Sequence, residues 1–176
     1  MSTLYYYVAM SLDGYSASED GSLHWLENFV LGPDATPYSV FYDKLGCIIM
    51  GARTYDWIWG FHSKWPYQDR PCLVMTHRYM MPPDGLDISF INQPVEAVLD
   101  EARRIADGKD VWLLGGGKTA AQFADAGLID EMIITTIPVF IGNGVQVLPV
   151  TKPLHVKPAI IRQLRSGASE TFIDVL

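Results

Sequence analysis

Apolar residues fall along this chain in short blocks separated by polar, glycine-rich stretches, and the period changes between blocks. Leu4–Met10 is aromatic and β-rich and reads as a strand that ends in a polar loop, Ser11–Gly21. Cys47–Met50, Pro71–Met75 and Val111–Leu114 are short, uninterrupted apolar runs. Such runs are expected of parallel strands covered on both faces, because neither side of the pleat meets water. Thr36-Pro37 offers an N-cap and a proline at the first helical position, which predicts a short helix to about Lys44. Arg53–Trp57 reads as a second helix. Pro94–Asp107 carries the clearest helical signal: Val95, Val98, Leu99, Ala102, Ile105 and Ala106 recur at helical spacing, with Pro94 at the start and Gly108 past the end. Asp100 and Arg104 are placed there as an i,i+4 pair. Gly115–Gly117 is a turn into a helix over Lys118–Ala126 that Gly127 stops. Glu131–Pro138 is a strand leading to a glycine-rich loop, Ile141–Gly144. Ile160–Arg165 and Ser169–Val175, joined through Ser166-Gly167-Ala168, form an antiparallel hairpin. The pattern predicts a single α/β domain over residues 1–176: a mostly parallel central sheet, helices on both faces and an antiparallel C-terminal hairpin.

Length and composition narrow the function. One core in a chain of 176 residues buries roughly 70% of the unfolded surface, so folding needs no disulfide or metal. No apolar run reaches about 18 residues, and the N-terminus lacks the basic start of a signal peptide, which argues against membrane spanning and secretion. Thirteen basic against twenty acidic residues give a net charge of −7, the opposite of the balance a nucleic-acid binder carries. Two cysteines, Cys47 and Cys72, open predicted inner strands and fit buried thiols of a reduced, cytoplasmic protein. The histidines His24, His62, His77 and His155 show no metal-ligand spacing.

The chemistry gathers where strands end. Leu114-Gly115-Gly116-Gly117-Lys118-Thr119 runs from an apolar strand through three glycines into a helix. Glycines let a backbone approach a ligand closely, and helix N-terminal N–H groups attract phosphate. It is not a P-loop, which requires glycine where Trp112 stands. The G-x-G-x-x-G fingerprint fails at Ala120. Gly51-Ala52-Arg53-Thr54 and Thr76-His77-Arg78 follow two other apolar runs and bring hydroxyls and guanidinium groups to the same sheet edge. Three strand ends with anion-binding chemistry suggest a ligand with several phosphates, such as a dinucleotide. Taken one at a time, Arg53 and Arg78 also read as solvated surface charges. Aromatic residues crowd residues 55–67, where Trp57, Trp59 and Phe61 stand. With Trp25 they read either as the wall of a flat pocket or as a core satellite or interface. Asp13 reads either as a residue that orients or protonates a substrate or as a turn-former before Gly14.

In order and spacing these motifs resemble the dihydrofolate reductase superfamily, and most closely the reductase domain of riboflavin biosynthesis and its small stand-alone bacterial relatives. The segments that carry the resemblance are Ala9–Tyr15, Met50–Tyr55, Leu114–Gly117, Gly127–Glu131 and Pro138–Gly144. It implies a three-layer α/β/α fold, a homodimer and NADPH as hydride donor. Gly115, Gly116, Gly117, Lys118 and Thr119, beside Leu114, would face the pyrophosphate. Gly51, Arg53 and Thr54 would hold phosphate and adenosine, and Thr76, His77 and Arg78 the ribose 2′-phosphate. Ala9 would bond the nicotinamide carboxamide through its backbone, with Gly14 and Tyr15 covering the ring. Asp13 and Tyr15 are then the candidate catalytic residues, and Ser11, Trp25, Trp57, Trp59 and Phe61 the candidate substrate pocket.

The substrate half departs from both branches. Dihydrofolate reductases place a carboxylate a few positions after the first-loop tryptophan, whereas here Glu27 follows Trp25 by two. The riboflavin reductases hold a ribose phosphate with basic residues in and after that loop, yet residues 11–43 contain no Lys or Arg. Three readings stand: an NADPH-dependent reductase of a planar heterocycle, resembling 5-amino-6-(5-phosphoribosylamino)uracil reductase; a dihydrofolate reductase; and a non-catalytic NADP-binding dimer.

Overall fold

The computed structural model describes residues 1–176. Ten strands and five helices follow one another along the chain. They are β1 (Leu4–Ser11), β2 (Tyr15–Ala17), α1 (His24–Glu27), α2 (Tyr38–Tyr42), β3 (Leu45–Gly51), α3 (Ala52–Phe61), β4 (Cys72–Met75), β5 (Ile88–Ile91), α4 (Val95–Ala106), β6 (Asp110–Leu114), α5 (Gly117–Asp125), β7 (Glu131–Ile137), β8 (Val145–Gln146), β9 (Val156–Gln163) and β10 (Ser169–Val175). Eight strands form one sheet in the order β5-β4-β3-β6-β1-β7-β10-β9. Its first six members are parallel, and β10 and β9 are the antiparallel hairpin at one edge.

Both faces of the sheet are covered, which explains the uninterrupted apolar runs. On one face Leu4, Tyr6, Ile49 and Leu113 pack against Val98, Leu99 and Ala102 of α4 and Phe123 of α5. On the other, Tyr5, Ile48, Met50 and Trp112 pack against Phe41 of α2 and Tyr55 and Ile58 of α3. Aromatic edges meet aromatic faces there: Phe41 stands nearly perpendicular to Tyr7 at 4.7 Å and to Trp112 at 5.4 Å. No helix is long and apolar enough to cross a membrane.

Several local expectations change for identifiable reasons. The short helix begins at Tyr38 with Pro37 as its N-cap, so Thr36 caps nothing. Its amide and hydroxyl instead donate to Glu170 at 3.0 and 2.9 Å. Glu170 is a fully buried carboxylate, and satisfying a buried charge outweighs a cap. Arg104 forks onto Glu101, at 2.8 and 2.6 Å, rather than onto Asp100. The helix expected over Arg53–Trp57 runs on to Phe61, so the first half of the aromatic cluster is helical. Three elements have no clear period in the sequence. β5 lies just after Pro82-Pro83 and finds its only partner in β4, while β2 and β8 pair across 129 positions of chain through two or three residues each.

Candidate active site

Six parallel strands point the same way, so their carboxyl ends share one edge of the sheet, where α/β folds bind ligands. The pairing is uneven at that edge. β1 leaves β6 at Tyr7↔Leu114 but continues beside β7 to Ser11↔Ile137. Along β1 the Thr3 carbonyl accepts from Val111 on the β6 side, and the Leu4 carbonyl accepts from Asp130 on the β7 side. This alternation turns the N–H and C=O of Ala9 toward β6, beyond its last residue. The exposed peptide edge looks into a cleft of about 1510 Å³.

One half of the cleft is built from glycines, hydroxyls and helix N-termini. β3 and β6 are neighbours, and each runs directly into a helix, α3 and α5. The first intrahelical bond of α5 is Ala120 N–H to the Gly116 carbonyl, at 3.0 Å. The N–H groups of Gly117, Lys118 and Thr119 therefore lack an acceptor within the helix. Gly115 and Gly116 take φ of 61° and 72°, the left-handed region that side chains rarely adopt. The missing side chains of Gly51 and Gly115 leave room for two hydroxyls. A Cβ at Gly51 would lie 2.5 Å from Oγ1 of Thr119, and one at Gly115 would lie 3.3 Å from Oγ1 of Thr54. Arg53 and Lys118 are the two Lys or Arg residues lining the cleft, and Thr76 and His77 line it at the end of β4. The arrangement fits a pyrophosphate: converging helix N-termini, hydroxyl donors, flanking cations and no Cβ in the way.

The other half is aromatic. Tyr7, Tyr38, Trp57, Tyr67 and Trp112 line it, with Leu23, Leu26 and Leu31 from α1 and the residues flanking it. Burial pushes the Tyr38 phenol up to about 12 and raises those of Tyr7 and Tyr67, so this wall is uncharged at neutral pH. Thr135 of β7 lines the floor, 3% exposed, and its hydroxyl lies beside the Tyr7 phenol without a well-formed hydrogen bond. Buried hydroxyls are almost always satisfied, and leaving one bare costs about 1–3 kcal/mol.

The candidate residues separate accordingly. Ala9, Tyr15, Gly51, Arg53, Thr54, Thr76, His77, Leu114, Gly115, Gly116, Gly117, Lys118, Thr119 and Trp57 line the cleft. Gly14, Arg78, Ser11, Asp13, Trp25, Trp59 and Phe61 are not among the lining residues. Gly14 is the φ +90° corner whose carbonyl accepts from Val147 at 3.0 Å. Arg78 donates to Asp56 at 2.8 Å, and it is Asp56 that faces the cleft. The Ser11 hydroxyl, fully buried, bonds Asp13 at 2.7 Å and receives the Tyr15 amide at 3.0 Å. Asp13 also accepts from the amides of Gly142 and Ile141, at 2.8 and 3.2 Å, tying the first loop to the glycine-rich loop after β7. The Ser11 hydroxyl and these amides hold its carboxyl below the usual carboxylate range, which suits a fixed anion and not a proton donor. Trp25 packs beside Ile137 and Leu164, Trp59 stacks on Trp65 at 5.4 Å, and Phe61 stacks outside on Trp57 at 5.0 Å.

Sequence reasoning missed Tyr7, Tyr38 and Thr135 as cleft residues, whereas Tyr67 belongs to the aromatic run over 55–67 that reads as a candidate pocket wall. Tyr7 and Thr135 looked like ordinary strand positions, and only the register brings Tyr7 level with the last residue of β6 and Thr135, opposite Ala9, past it. Cys47 and Cys72 are free and buried, and burial pushes both thiols up to about 12, so neither is a nucleophile. No group of three His, Cys, Asp or Glu side chains stands together to hold a metal ion.

Comparison with known proteins matches residues 2–172 to the RibD C-terminal domain family. The chain is 37% identical over 142 residues to the uncharacterized protein YwjB of Bacillus subtilis (strain 168), covering 79% of this chain and 78% of that one. Among solved structures, a putative riboflavin biosynthesis protein from Shewanella sp. PV-4 superimposes with a TM-score of 0.83 at 24% identity, over 99% of both chains. A dihydrofolate reductase from Enterococcus faecalis complexed with NADP(H) superimposes with a TM-score of 0.61 at 14% identity, over 98% of this chain and 96% of its own. The fold is thus dihydrofolate reductase-like.

Proposed function

The chain belongs to the RibD C-terminal domain family, and from that premise we propose that it is an NADPH-dependent oxidoreductase that reduces a small planar heterocycle. One observation carries the reading: the glycine–threonine cradle at the N-termini of α3 and α5 shares a single cleft with an aromatic chamber, and the unpaired edge of β1 lies between them. Bound NADPH supplies a hydride, two electrons and a proton in one transfer. The chain's own part is placement. Thr54, Thr119 and the first-turn amides of α5 hold the pyrophosphate against the net negative charge of the protein. The Ala9 peptide fixes a carboxamide and so the face of the ring it presents, and Tyr15 covers that ring from β2. Tyr7, Trp57 and Trp112 exclude water where the hydride leaves. No side chain in the chamber is assigned as acid, and solvent at the cleft mouth supplies the proton that balances hydride addition.

Dihydrofolate reduction is the weaker reading. Glu27, the carboxylate expected nearest a pterin, is exposed on α1, bonds His24 at 3.2 Å and does not line the cleft. We also propose that the protein acts in the cytoplasm as a single-domain homodimer paired through the β9 edge. All eight residues of that strand are exposed, among them Ile160 and Ile161, and such an edge invites a second strand. The deciding experiment titrates NADPH and NADH by tryptophan quenching, then follows NADPH oxidation with dihydrofolate, pyrimidine precursors of riboflavin, flavins and quinones. NADPH is expected to bind more tightly than NADH and to be consumed with a flat heterocycle. Absence of NADPH binding overturns the reading, and fast turnover of dihydrofolate reverses the ranking.

A further inference from the structure

Charge divides the cleft as sharply as shape does. Its two Lys or Arg side chains, Arg53 and Lys118, stand in the first turns of α3 and α5, where the glycine–threonine cradle is built. No Lys or Arg stands among the aromatic residues of the chamber, and the cleft lining also includes the exposed carboxylates Glu19 and Asp20 and the exposed imidazole of His62 beside Trp57. The arginines on adjoining elements are engaged: Arg70 pairs with Asp69 at 2.7 Å, and Arg162 binds the Thr36 hydroxyl, the Asp34 carbonyl and Glu170. The wall phenols are neutral. The single unsatisfied buried polar group there is the Thr135 hydroxyl on the floor.

Phosphate recognition needs converging cations or amide donors. A phosphorylated substrate in this chamber would meet no Lys or Arg among the aromatic residues and would share the cleft with exposed carboxylates. We propose that the substrate is an unphosphorylated, neutral or cationic nitrogen heterocycle, gripped by the aromatic wall and oriented by a hydrogen bond from its polar edge to Oγ1 of Thr135. The inference rests on the reductase reading and narrows it. The protein keeps the fold of phosphoribosylaminouracil reduction with a chamber for a different class of molecule.

The test compares a ribosylaminouracil with its 5′-phosphate, two probes that differ only in the disputed group. Each is titrated by tryptophan quenching against the full-length protein, with and without saturating NADP⁺, so a failure of cofactor binding is read separately from a failure of ring binding. The phosphate is expected to weaken binding about tenfold or leave it unchanged, and Glu19→Lys with Asp20→Lys to reverse the order. Tighter binding of the phosphate by the unaltered protein, or binding of neither probe, overturns the proposal. Thr135→Val is expected to weaken the ring about tenfold and Thr135→Ser to restore it, with NADP⁺ affinity the same in both. Equal weakening by the two variants removes Thr135 from the substrate contact.

Discussion

Replacing Gly51 by alanine tests the cradle through a single methyl group. Gly51 has φ −83° and ψ 164°, extended backbone that alanine adopts without strain. The added Cβ, however, would stand 2.5 Å from Oγ1 of Thr119, about 1 Å inside ordinary contact. Backbone fixes both partners, since Gly51 ends β3 and Thr119 sits in the first turn of α5. Relief must come from rotating the stiff β-branched side chain of Thr119, which takes its hydroxyl out of the cradle. A hydrogen bond to a charged group contributes about 1.5–3 kcal/mol, so NADPH affinity should fall roughly 10- to 150-fold. Stability should barely move, because alanine lowers unfolded-chain entropy by about 0.4–1 kcal/mol and offsets part of the crowding. Any melting shift should stay within about 4 °C. The assay is NADPH titration by tryptophan quenching on Gly51→Ala, Thr119→Ala and the double variant. If alanine acts through the hydroxyl, the double variant binds as weakly as Thr119→Ala alone, a strongly non-additive cycle. Additive losses, or a Gly51→Ala protein that binds NADPH normally, would refute the cradle.

Three further outcomes are expected. Arg78→Ala should weaken NADPH several-fold and leave NADH unchanged, whereas Asp56→Ala, which frees the guanidinium now held at 2.8 Å, should tighten NADPH; equal loss for both cofactors would remove Arg78 from the 2′-phosphate. Asp13 has a depressed pKa in the folded protein, so its contribution is fully present above the unfolded value of 3.8 and is lost as pH falls through the lower folded value. Hydrogen exchange of the Ile141 and Gly142 amides should therefore be flat from pH 7 to 5, after correction for intrinsic rates, and gain speed only below about pH 4; Asp13→Asn should show the fast exchange already at pH 7. Ile160→Asp with Ile161→Asp should shift the protein from dimer to monomer in sedimentation, and an unchanged mass would move the interface away from β9.

The chain's own pattern determined the class of fold and marked the glycine-rich strand ends that border the cleft, because both are written in short local signals. Uninterrupted runs such as Cys47–Met50 report strands buried on two faces whatever surrounds them. Pro94 and Gly108 bracket a helix through backbone restrictions that hold in any context, and Gly115-Gly116 announces a tight turn because only glycine takes those φ values cheaply. The substrate side was not legible in this way. Trp25, Trp59 and Phe61 are chemically as fit for a pocket as Trp57. Which of them faces the cleft depends on where α3 rests on the sheet and how the first loop folds back. Asp13 sits in the sequence like a catalytic carboxylate, and only the fold brings it the amides of Ile141 and Gly142, 128 and 129 positions away, which make it a fixed anchor. Thr135 and the Ala9 peptide entered the cleft because β1 and β7 outrun β6, with Tyr7 level with its last residue, a difference in strand length that no residue encodes alone. The tertiary structure decided the aromatic chamber because a pocket is made by side chains from distant segments, and their facing is set by register and packing.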